Sequence, residues 1–292
     1  MTQQPIDDSY GTLGPLLEGK VAVVTGGAGA IGGAICRMFA AHGADIVVAD
    51  KEQTRTVETA KRVQALGRKA VPVLADLTTR RGIDRLKAAA LGAFPHVDIL
   101  VNGLGEHLWA SSPLEDSTED QWQALYQINL LHVFRACQAF IPSMKERGWG
   151  RIINFSSVEG IRSIPNLAVY AAFKGAINSF TKSLGVELGR YGIHVNAIAV
   201  DQVKAYQVTY DTSKELERLV PIWIPAGRLG QGEDVARIAL FLASDLSSWV
   251  TGDIVAADGG TLAAGGWYRT PTGWTNRALL HDWIENPSLP TK

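Results

Sequence analysis

The sequence predicts a single α/β domain built on a doubly wound, seven-stranded parallel sheet flanked by helices. Three observations support this prediction. Seven short runs rich in Val, Ile and Ala recur along the chain, helical patterns separate them, and a glycine-rich segment directly follows the first run. Continuous apolar runs are typical of strands that are buried on both faces of a parallel sheet. Strands that alternate with helices indicate right-handed βαβ units.

The strands and helices follow one another over most of the chain. The predicted strands are residues 21–25, 45–50, 70–75, 97–102, 151–156, 194–199 and 253–257. The segments between them carry apolar residues three or four positions apart, such as Ala34, Met38 and Ala41 in the first helix. Because no linker or low-complexity tract interrupts this pattern, we expect one domain over residues 18–262.

The two ends differ from this domain. Residues 1–17 form an N-terminal extension, and residues 263–292 form a tail that contains Trp267, Trp274 and Trp283. Such a density of tryptophan favours docking on a surface over free disorder. We therefore hypothesise that the tail covers a pocket of its own subunit or of a neighbour.

Composition limits the classes of partner and the compartment. The 28 basic residues balance 29 acidic ones, so no field favours nucleic acid or an anionic membrane. Cys36 and Cys137 lie in apolar helical patterns and predict core packing, not a disulfide or a metal site. The sequence shows neither a secretory signal nor about 18 unbroken apolar residues, which predicts a soluble, cytoplasmic protein.

The first strand ends in a glycine-rich segment, residues 25–32, that leads straight into a helix. Small residues there let the backbone approach a pyrophosphate, whose charge is favoured by unpaired N–H groups at the helix start. Asp50 ends the second strand, where a carboxylate can bind a ribose diol and repel a 2′-phosphate. NAD is therefore the predicted cofactor in preference to NADP. Asp76 is open to two interpretations, an adenine contact or the N-cap of the next helix.

Tyr170 and Lys174 are four residues apart, which places both side chains on one face of a helix. The lysine charge, together with that of the nicotinamide, is expected to lower the pKa of the phenol toward neutrality and make Tyr170 a general acid/base. Ser157 follows the fifth strand and is expected to donate a hydrogen bond to the substrate oxygen. Its neighbour Ser156 is rejected for this role.

These motifs, taken in order, resemble those of the short-chain dehydrogenase/reductase family over roughly residues 18–262. The resemblance also rests on Asn129 and on the late segments at residues 227–230 and 257–260. It implies a Rossmann fold, hydride transfer at the nicotinamide C4, and often a homotetramer, with a homodimer as the alternative. The catalytic tetrad that it implies is Asn129, Ser157, Tyr170 and Lys174. The predicted cofactor contacts are Gly26, Gly29, Ala30, Ile31, Gly32, Asp50, Asp76, Leu77, Asn102, Gly103, Tyr170, Lys174, Val200, Gln202 and Val203.

The chain departs from the family pattern in several places. Ala30 replaces a loop glycine, and Gly103-Leu104-Gly105 follows Asn102 where the family has Asn-Ala-Gly. Val200-Asp201 replaces a Pro-Gly pair, and Ala205 replaces a threonine. We expect a weaker or differently organised grip on the cofactor.

The predicted substrate pocket lies over the carboxyl ends of the strands. Its predicted wall residues are Leu108, Trp109, Glu159, Ile164, Tyr206 and Trp223. The apolar and aromatic members of this set favour a cyclic or aryl substrate, although the same residues could simply pack a lid. Glu106, His107, Glu159 and Arg162 could orient a polar substituent such as the second hydroxyl of a dihydrodiol, or they could simply be solvated loop residues. No histidine pair has metal-ligand spacing, so no metal site is predicted.

Three functions remain open from the sequence. The first is an NAD-dependent oxidoreductase that interconverts a small secondary alcohol and a ketone. The second is a 3-oxoacyl-carrier-protein reductase, for which Arg135 and Arg190 are candidate basic residues, although such enzymes normally prefer NADP. The third is a non-catalytic dinucleotide sensor, against which the intact tetrad argues.

Overall fold

A computed structural model describes residues 14–108, 111–206, 220–266, 268–270 and 273–275 of the chain. Its main sheet consists of β1 (Val21–Thr25), β2 (Asp45–Asp50), β3 (Ala70–Leu74), β4 (Ile99–Asn102), β5 (Gly150–Ser157), β6 (Ile193–Val200) and β7 (Ile254–Ala257). The predicted seven-stranded sheet is confirmed. Predicted and observed strand ends coincide for β1 and β2, and β5 and β6 are each one residue longer at both ends.

The strands pair in the order β3-β2-β1-β4-β5-β6-β7, and every pair is parallel. Val24 of β1 pairs with Val48 of β2 on one side and with Val101 of β4 on the other. The chain therefore builds outward from β1 to β3 and then restarts on the opposite side of β1. Ligands of such open sheets bind at this switch point, outside the carboxyl ends of the strands.

Helices cover both faces of the sheet. They are α1 (Ala30–Ala41), α2 (Gln53–Gln64), α3 (Arg80–Ala93), α4 (Glu119–Tyr126), α5 (His132–Arg147), α6 (Glu159–Arg162), α7 (Ala168–Leu188), α8 (Gly232–Ala243) and α9 (Thr261–Ala264). A π-helical turn, Gln127–Leu131, joins α4 to α5. Residues of α1, α2 and α8 form one apolar core, and residues of α3, α5 and α7 form the other. Both cysteines are buried in these cores, as predicted.

After α9 the chain forms a two-stranded antiparallel hairpin, β8 (Tyr268–Thr270) and β9 (Gly273–Thr275). Trp267 and Trp283 lie outside the described residues, and so do most of residues 1–17, so the hypothesis that the tail covers a pocket stays a prediction. Within the part of the chain that the structure describes, no helix combines the length and apolar character needed to span a membrane.

Candidate active site

The glycine-rich loop between β1 and α1 brings backbone against backbone. Gly26 has a φ of +71°, and a Cβ atom there would lie 2.9 Å from the carbonyl oxygen of Gly103. At Gly32 a Cβ atom would lie only 2.2 Å from the carbonyl oxygen of Gly26. Helix α1 begins after Gly29, which supplies no side-chain cap. The loop therefore offers an uncovered helix start that suits a phosphate group.

Asp50 lies at the end of β2, beside this loop. Its carboxylate accepts hydrogen bonds from the backbone N–H of Ala28 at 3.2 Å and of Glu52 at 3.1 Å. Both bonds hold the carboxylate at the edge of the cleft. This position fits the recognition of a ribose diol.

Asp76 lines the same cleft and accepts hydrogen bonds from the N–H and the hydroxyl of Thr78, at 3.0 and 2.6 Å. The cap of α3 is Thr79, whose hydroxyl accepts the N–H of Gly82 at 3.0 Å. The N-cap interpretation of Asp76 is therefore wrong, because the N-cap residue lies three positions later in the chain. Its predicted adenine contact stays a prediction.

The acid/base candidates converge at the carboxyl end of β5. Tyr170 and Lys174 lie one turn apart on α7, and the Ser157 side chain is near enough to the phenol of Tyr170 to lower its pKa by hydrogen bonding. The ammonium group of Lys174 donates to the carbonyl oxygen of Phe155 at 3.0 Å. Ser156 points elsewhere, since its hydroxyl donates to the carbonyl of Lys174 at 3.3 Å. Ser157 is thus the serine that faces the tyrosine.

Asn129 lies in the π-helical turn and joins this group through the chain after β4. Its side chain donates to the carbonyl oxygens of Glu106 at 2.8 Å and Leu125 at 3.0 Å, and it accepts the N–H of Glu106 at 3.1 Å. A Cβ atom at Gly105 would lie 2.8 Å from the Lys174 nitrogen and 3.2 Å from the Asn129 side-chain oxygen. Gly105 therefore leaves the room in which Asn129 and Lys174 approach each other.

The protein's own groups shift the pKa of Tyr170 in a direction that the sequence analysis did not expect. Burial raises it, the hydrogen bond with Ser157 opposes this increase, and the charges of Glu159 and Asp201 add to it. Burial also lowers the pKa of Lys174 to about 8. The sequence predicted that the charges of Lys174 and the nicotinamide together lower the pKa of the phenol. The part of this prediction that concerns Lys174 is corrected, because desolvation of the phenolate dominates within the protein.

One cleft of about 670 Å³ unites most of the predicted site. The predicted cofactor residues that line it are Gly26, Gly29, Ala30, Ile31, Gly32, Asp50, Asp76, Leu77, Gly103, Tyr170, Lys174, Val200, Gln202 and Val203. Ser157, Glu159, Ile164 and Tyr206 line it as well. Its size and the glycine loop fit a nicotinamide dinucleotide together with a small substrate.

Three predicted contacts do not line the cleft. The Asn102 side chain is fully buried, donates to Asn154 of the neighbouring strand at 2.9 Å, and is not part of the lining. Leu108 has a φ of +55°, and this turn takes it off the lining. Trp223 is 37% exposed on the chain after the undescribed segment 207–219 and also does not contribute. Trp109 lies outside the described residues.

Tyr206 was predicted to contact the substrate, but it lies at the opposite end of the cleft. Its ring packs against the guanidinium group of Arg55 of α2, at 5.2 Å from the ring centre. Arg55 follows Asp50 closely and also pairs with Glu52 at 3.2 Å. Tyr206 therefore contacts the part of the cleft that begins at the ribose-binding carboxylate.

Sequence reasoning missed the roles of Gly105 and Arg55 and the partners of Arg162. Gly105 was visible only as part of a departure from the family motif, and its role depends on atoms that lie 24 and 69 residues away in the chain. Arg162 pairs with both Glu159 and Asp201, at 2.9 and 3.0 Å. No local pattern indicates that second pair. Among the described residues, no group of three or more His, Cys, Asp or Glu side chains could hold a metal ion.

Comparison with known proteins agrees with this geometry. The family model described as Enoyl-(Acyl carrier protein) reductase matches residues 26–261. The chain is 34% identical to a 3-oxoacyl-[acyl-carrier-protein] reductase of Thermotoga maritima, over 84% of this chain and 98% of the relative. It is 37% identical to 3beta-hydroxysteroid dehydrogenase 1 of Eggerthella lenta, over 84% and 94% of the two chains.

A solved structure resembles the fold closely. It is a 7α-hydroxysteroid dehydrogenase complexed with NADH and 7-oxo glycochenodeoxycholic acid. Its TM-score is 0.79 at 31% identity, and the match covers 84% of this chain and 95% of that one. Together, the matching family model, the curated relatives and this structure show that the chain belongs to the short-chain dehydrogenase/reductase family of nicotinamide-dependent oxidoreductases.

Proposed function

We propose that the protein is an NAD-dependent dehydrogenase that interconverts a secondary alcohol and a ketone on a cyclic, largely apolar substrate. The observation that carries this proposal is the convergence of Ser157, Tyr170 and Lys174 in the cleft that also contains Asp50. Relatives that are named for cyclic substrates support the ring: a 3β-hydroxysteroid dehydrogenase and a trans-4-hydroxycyclohexanecarboxylate dehydrogenase.

The proton transfer is assigned to Tyr170. In the oxidation direction its phenolate accepts the proton of the alcohol, while the Ser157 hydroxyl donates a hydrogen bond to the same oxygen. A bound nicotinamide dinucleotide supplies the hydride acceptor at C4, and its positive charge favours the phenolate against the effect of burial. Lys174, whose ammonium group donates to the carbonyl of Phe155 near Asn129, would bind the nicotinamide ribose of the dinucleotide.

The preference for NAD rests on Asp50. Its carboxylate is fixed by two backbone N–H groups at the cleft edge, so a 2′-phosphate there meets a negative charge. Two cations lie near Asp50. Lys51 directly follows it and lines the cleft, whereas Arg55 is paired with Glu52 and packs against the ring of Tyr206. We expect calorimetry to show at least about tenfold tighter binding of NAD than of NADP, which is about 1.4 kcal/mol.

The Asp50→Asn variant tests this assignment. In this variant the ratio of NAD affinity to NADP affinity should decrease. The control is Asp84→Asn, which removes an exposed carboxylate of α3 and should leave this ratio unchanged. Tighter binding of NADP by the unmodified protein would contradict the proposed preference.

The Tyr170→Phe variant tests the chemistry. With NAD and a panel of cyclic secondary alcohols, followed by nicotinamide absorbance, turnover should fall at least about 100-fold, since general acid/base catalysis contributes that much or more. Tyr191→Phe is a suitable control, because the hydroxyl of Tyr191 contacts Arg190 outside the cleft. Full activity of Tyr170→Phe would contradict the proposed mechanism.

A 3-oxoacyl-carrier-protein reductase is the second candidate, favoured by the 34% identical relative of Thermotoga maritima. The basic residues that a carrier protein would need are engaged locally. Arg135 donates to the carbonyl of Thr78 at 2.6 Å, and Arg190 to the hydroxyl of Tyr191 at 2.6 Å. Reduction of acetoacetyl-coenzyme A with NADPH at a higher kcat/KM than any alcohol oxidation with NAD would favour this candidate. Dinucleotide binding without turnover of either substrate class would favour a sensor.

We also propose that the chain forms a homotetramer, with the β7 edge of the sheet in one interface. Large apolar side chains are exposed near that edge: Trp249 is 99% exposed and Val186 85%. Gly185 of α7 packs against the backbone of Gly252, which brings Val186 close to the segment that precedes β7. Light scattering should give a mass of about four chains, and Trp249→Glu should lower it.

A further inference from the structure

Three charged residues form a cluster on the wall of the cleft, outside the tetrad. One nitrogen of the Arg162 guanidinium lies 2.9 Å from a carboxylate oxygen of Glu159 and 3.0 Å from one of Asp201. Two carboxylates share one guanidinium, so the cluster carries a net charge of −1. We call these three residues the Glu159–Arg162–Asp201 cluster.

The cluster presents its acidic members to the cleft. Glu159 and Asp201 line the cleft with Tyr170, whereas Arg162 is not part of the lining. The side chains of Glu159 and Asp201 are 12% and 5% exposed, and that of Arg162 is 34% exposed. Because the carboxylates are largely buried, solvent screens their charge weakly. Both act on the pKa of Tyr170, which shows that they are electrostatically close to the reacting group.

The cluster is held in a fixed relation to Ser157 and to the end of β6. The N–H of Glu159 donates to the Ser157 hydroxyl at 3.2 Å. Asp201 directly follows β6, and its carboxylate accepts the hydroxyl of Thr261 at 2.7 Å. Its backbone N–H donates to the carbonyl of Ala257 at 3.3 Å. These bonds place two hydrogen-bond acceptors beside Tyr170 before any substrate arrives.

We propose that the Glu159–Arg162–Asp201 cluster determines substrate specificity by accepting a hydrogen bond from a second hydroxyl group, one or two carbons from the reacting carbon. An ionised carboxylate can only accept hydrogen bonds, so it binds a hydroxyl and repels an anion. The same wall disfavours a substrate with a carboxylate at that position. This inference rests on the proposed alcohol dehydrogenase function and names the substrate as a cyclic diol.

Three probe substrates isolate the second group on the ring. They are cyclohexanol, trans-cyclohexane-1,2-diol and trans-2-hydroxycyclohexanecarboxylate, each assayed with NAD. The unmodified enzyme should show a kcat/KM at least about tenfold higher for the diol than for cyclohexanol, since a hydrogen bond to a charged group contributes this much. The hydroxy acid should be the poorest substrate.

Two variants remove one charge each. Asp201→Asn and Glu159→Gln keep an oxygen acceptor for their partners. Each variant should lower the ratio of kcat/KM for the diol to kcat/KM for cyclohexanol, and should raise the relative rate on the hydroxy acid. If one variant fails to fold, the other carries the test. Glu187→Gln, which removes an exposed carboxylate on α7, should leave all three ratios unchanged.

The outcomes separate this inference from the proposed function. If the enzyme turns over the alcohols, but the kcat/KM ratios between the probe substrates are the same in both variants as in the unmodified enzyme, the inference alone is overturned. A rate on the hydroxy acid that exceeds the rate on the diol also overturns it. Absence of turnover on every alcohol overturns the proposed function and the inference together.

Discussion

The two halves of the cleft differ in the atoms that shape them: backbone atoms on the dinucleotide side and side-chain atoms on the substrate side. On the dinucleotide side, Gly26, Gly32 and Gly103 bring backbone atoms so close that a Cβ atom would meet them below 3 Å. On the substrate side, the lining includes the carboxylates of Glu159 and Asp201, and Asp201 pairs with Arg162 across 39 residues of sequence. A backbone cradle needs a local motif, whereas a side-chain wall needs only that distant loops meet. The first half is therefore readable from sequence and the second is not.

The strongest test of this contrast is Gly32→Ala. The new Cβ atom would lie 2.2 Å from the carbonyl oxygen of Gly26, and backbone cannot give way as a side chain can. Overpacking of this kind costs about 1–3 kcal/mol, which corresponds to roughly a 10- to 100-fold loss of NAD affinity measured by calorimetry. Gly33→Ala is the matched control, since its nearest contacts are at 3.5 Å. Equal affinity of both variants would show that the loop tolerates a Cβ atom.

A smaller effect is expected at the border of the two halves, from Gly105→Ala. The added methyl group would displace the Lys174 ammonium, which lies 2.8 Å from its position, and press on Asn129. We expect kcat to fall about tenfold, equivalent to about 1.4 kcal/mol, with NAD affinity changing less. Gly175→Ala is the control on α7, because its closest contact is at 3.5 Å. A loss of affinity with kcat intact would place Gly105 in the dinucleotide half instead.

The smallest expected effect concerns pH. The charges of Glu159 and Asp201 raise the pKa of Tyr170, and removal of one of them should lower it. Since oxidation needs the phenolate, the rise of kcat/KM with pH for cyclohexanol should move to lower pH in Asp201→Asn. This variant leaves two other titratable groups beside Tyr170 unchanged. They are Lys174, whose pKa is lowered to about 8 by burial, and His107, whose ring lies 6.3 Å from that of Tyr170. A shift to higher pH would contradict the sign of this coupling.

The sequence predicted the framework well because each part of it has a local signature. β1 and β2 are continuous apolar runs, and the observed strands match the predicted residues. The glycine loop lies where a strand meets a helix, so its position followed from order alone. The cofactor contact of Asn102 stays a prediction. Its side chain lies in the core against Asn154, which the sequence could not indicate, because an amide at a strand end does not reveal which side of the sheet it faces.

The substrate wall could not be predicted to the same degree for a different physical reason. Residue type indicates a tendency to be buried but not the cavity that a side chain faces. Leu108 turns away at a positive φ, and Tyr206 packs on Arg55 at the dinucleotide end. Both outcomes depend on loop conformation, for which the sequence offers no period. Glu159 does line the cleft, and Asp201, which shares the guanidinium of Arg162 with it, was visible only as an unusual residue after β6.

Asn129 lies in the π-helical turn at Gln127–Leu131, so the number of residues in this turn determines whether its side chain reaches the active site. Successive residues of an α-helix are about 100° apart around its axis, so the loss of one residue from the turn would rotate the segment before it by that angle relative to α5. Asn129 could not then contact the carbonyls of both Leu125 and Glu106. The deletion of one residue from this turn would thus affect the active site in the same way as a substitution of Asn129. Single-residue deletions in this turn should be rejected by selection for activity even where the fold accepts them.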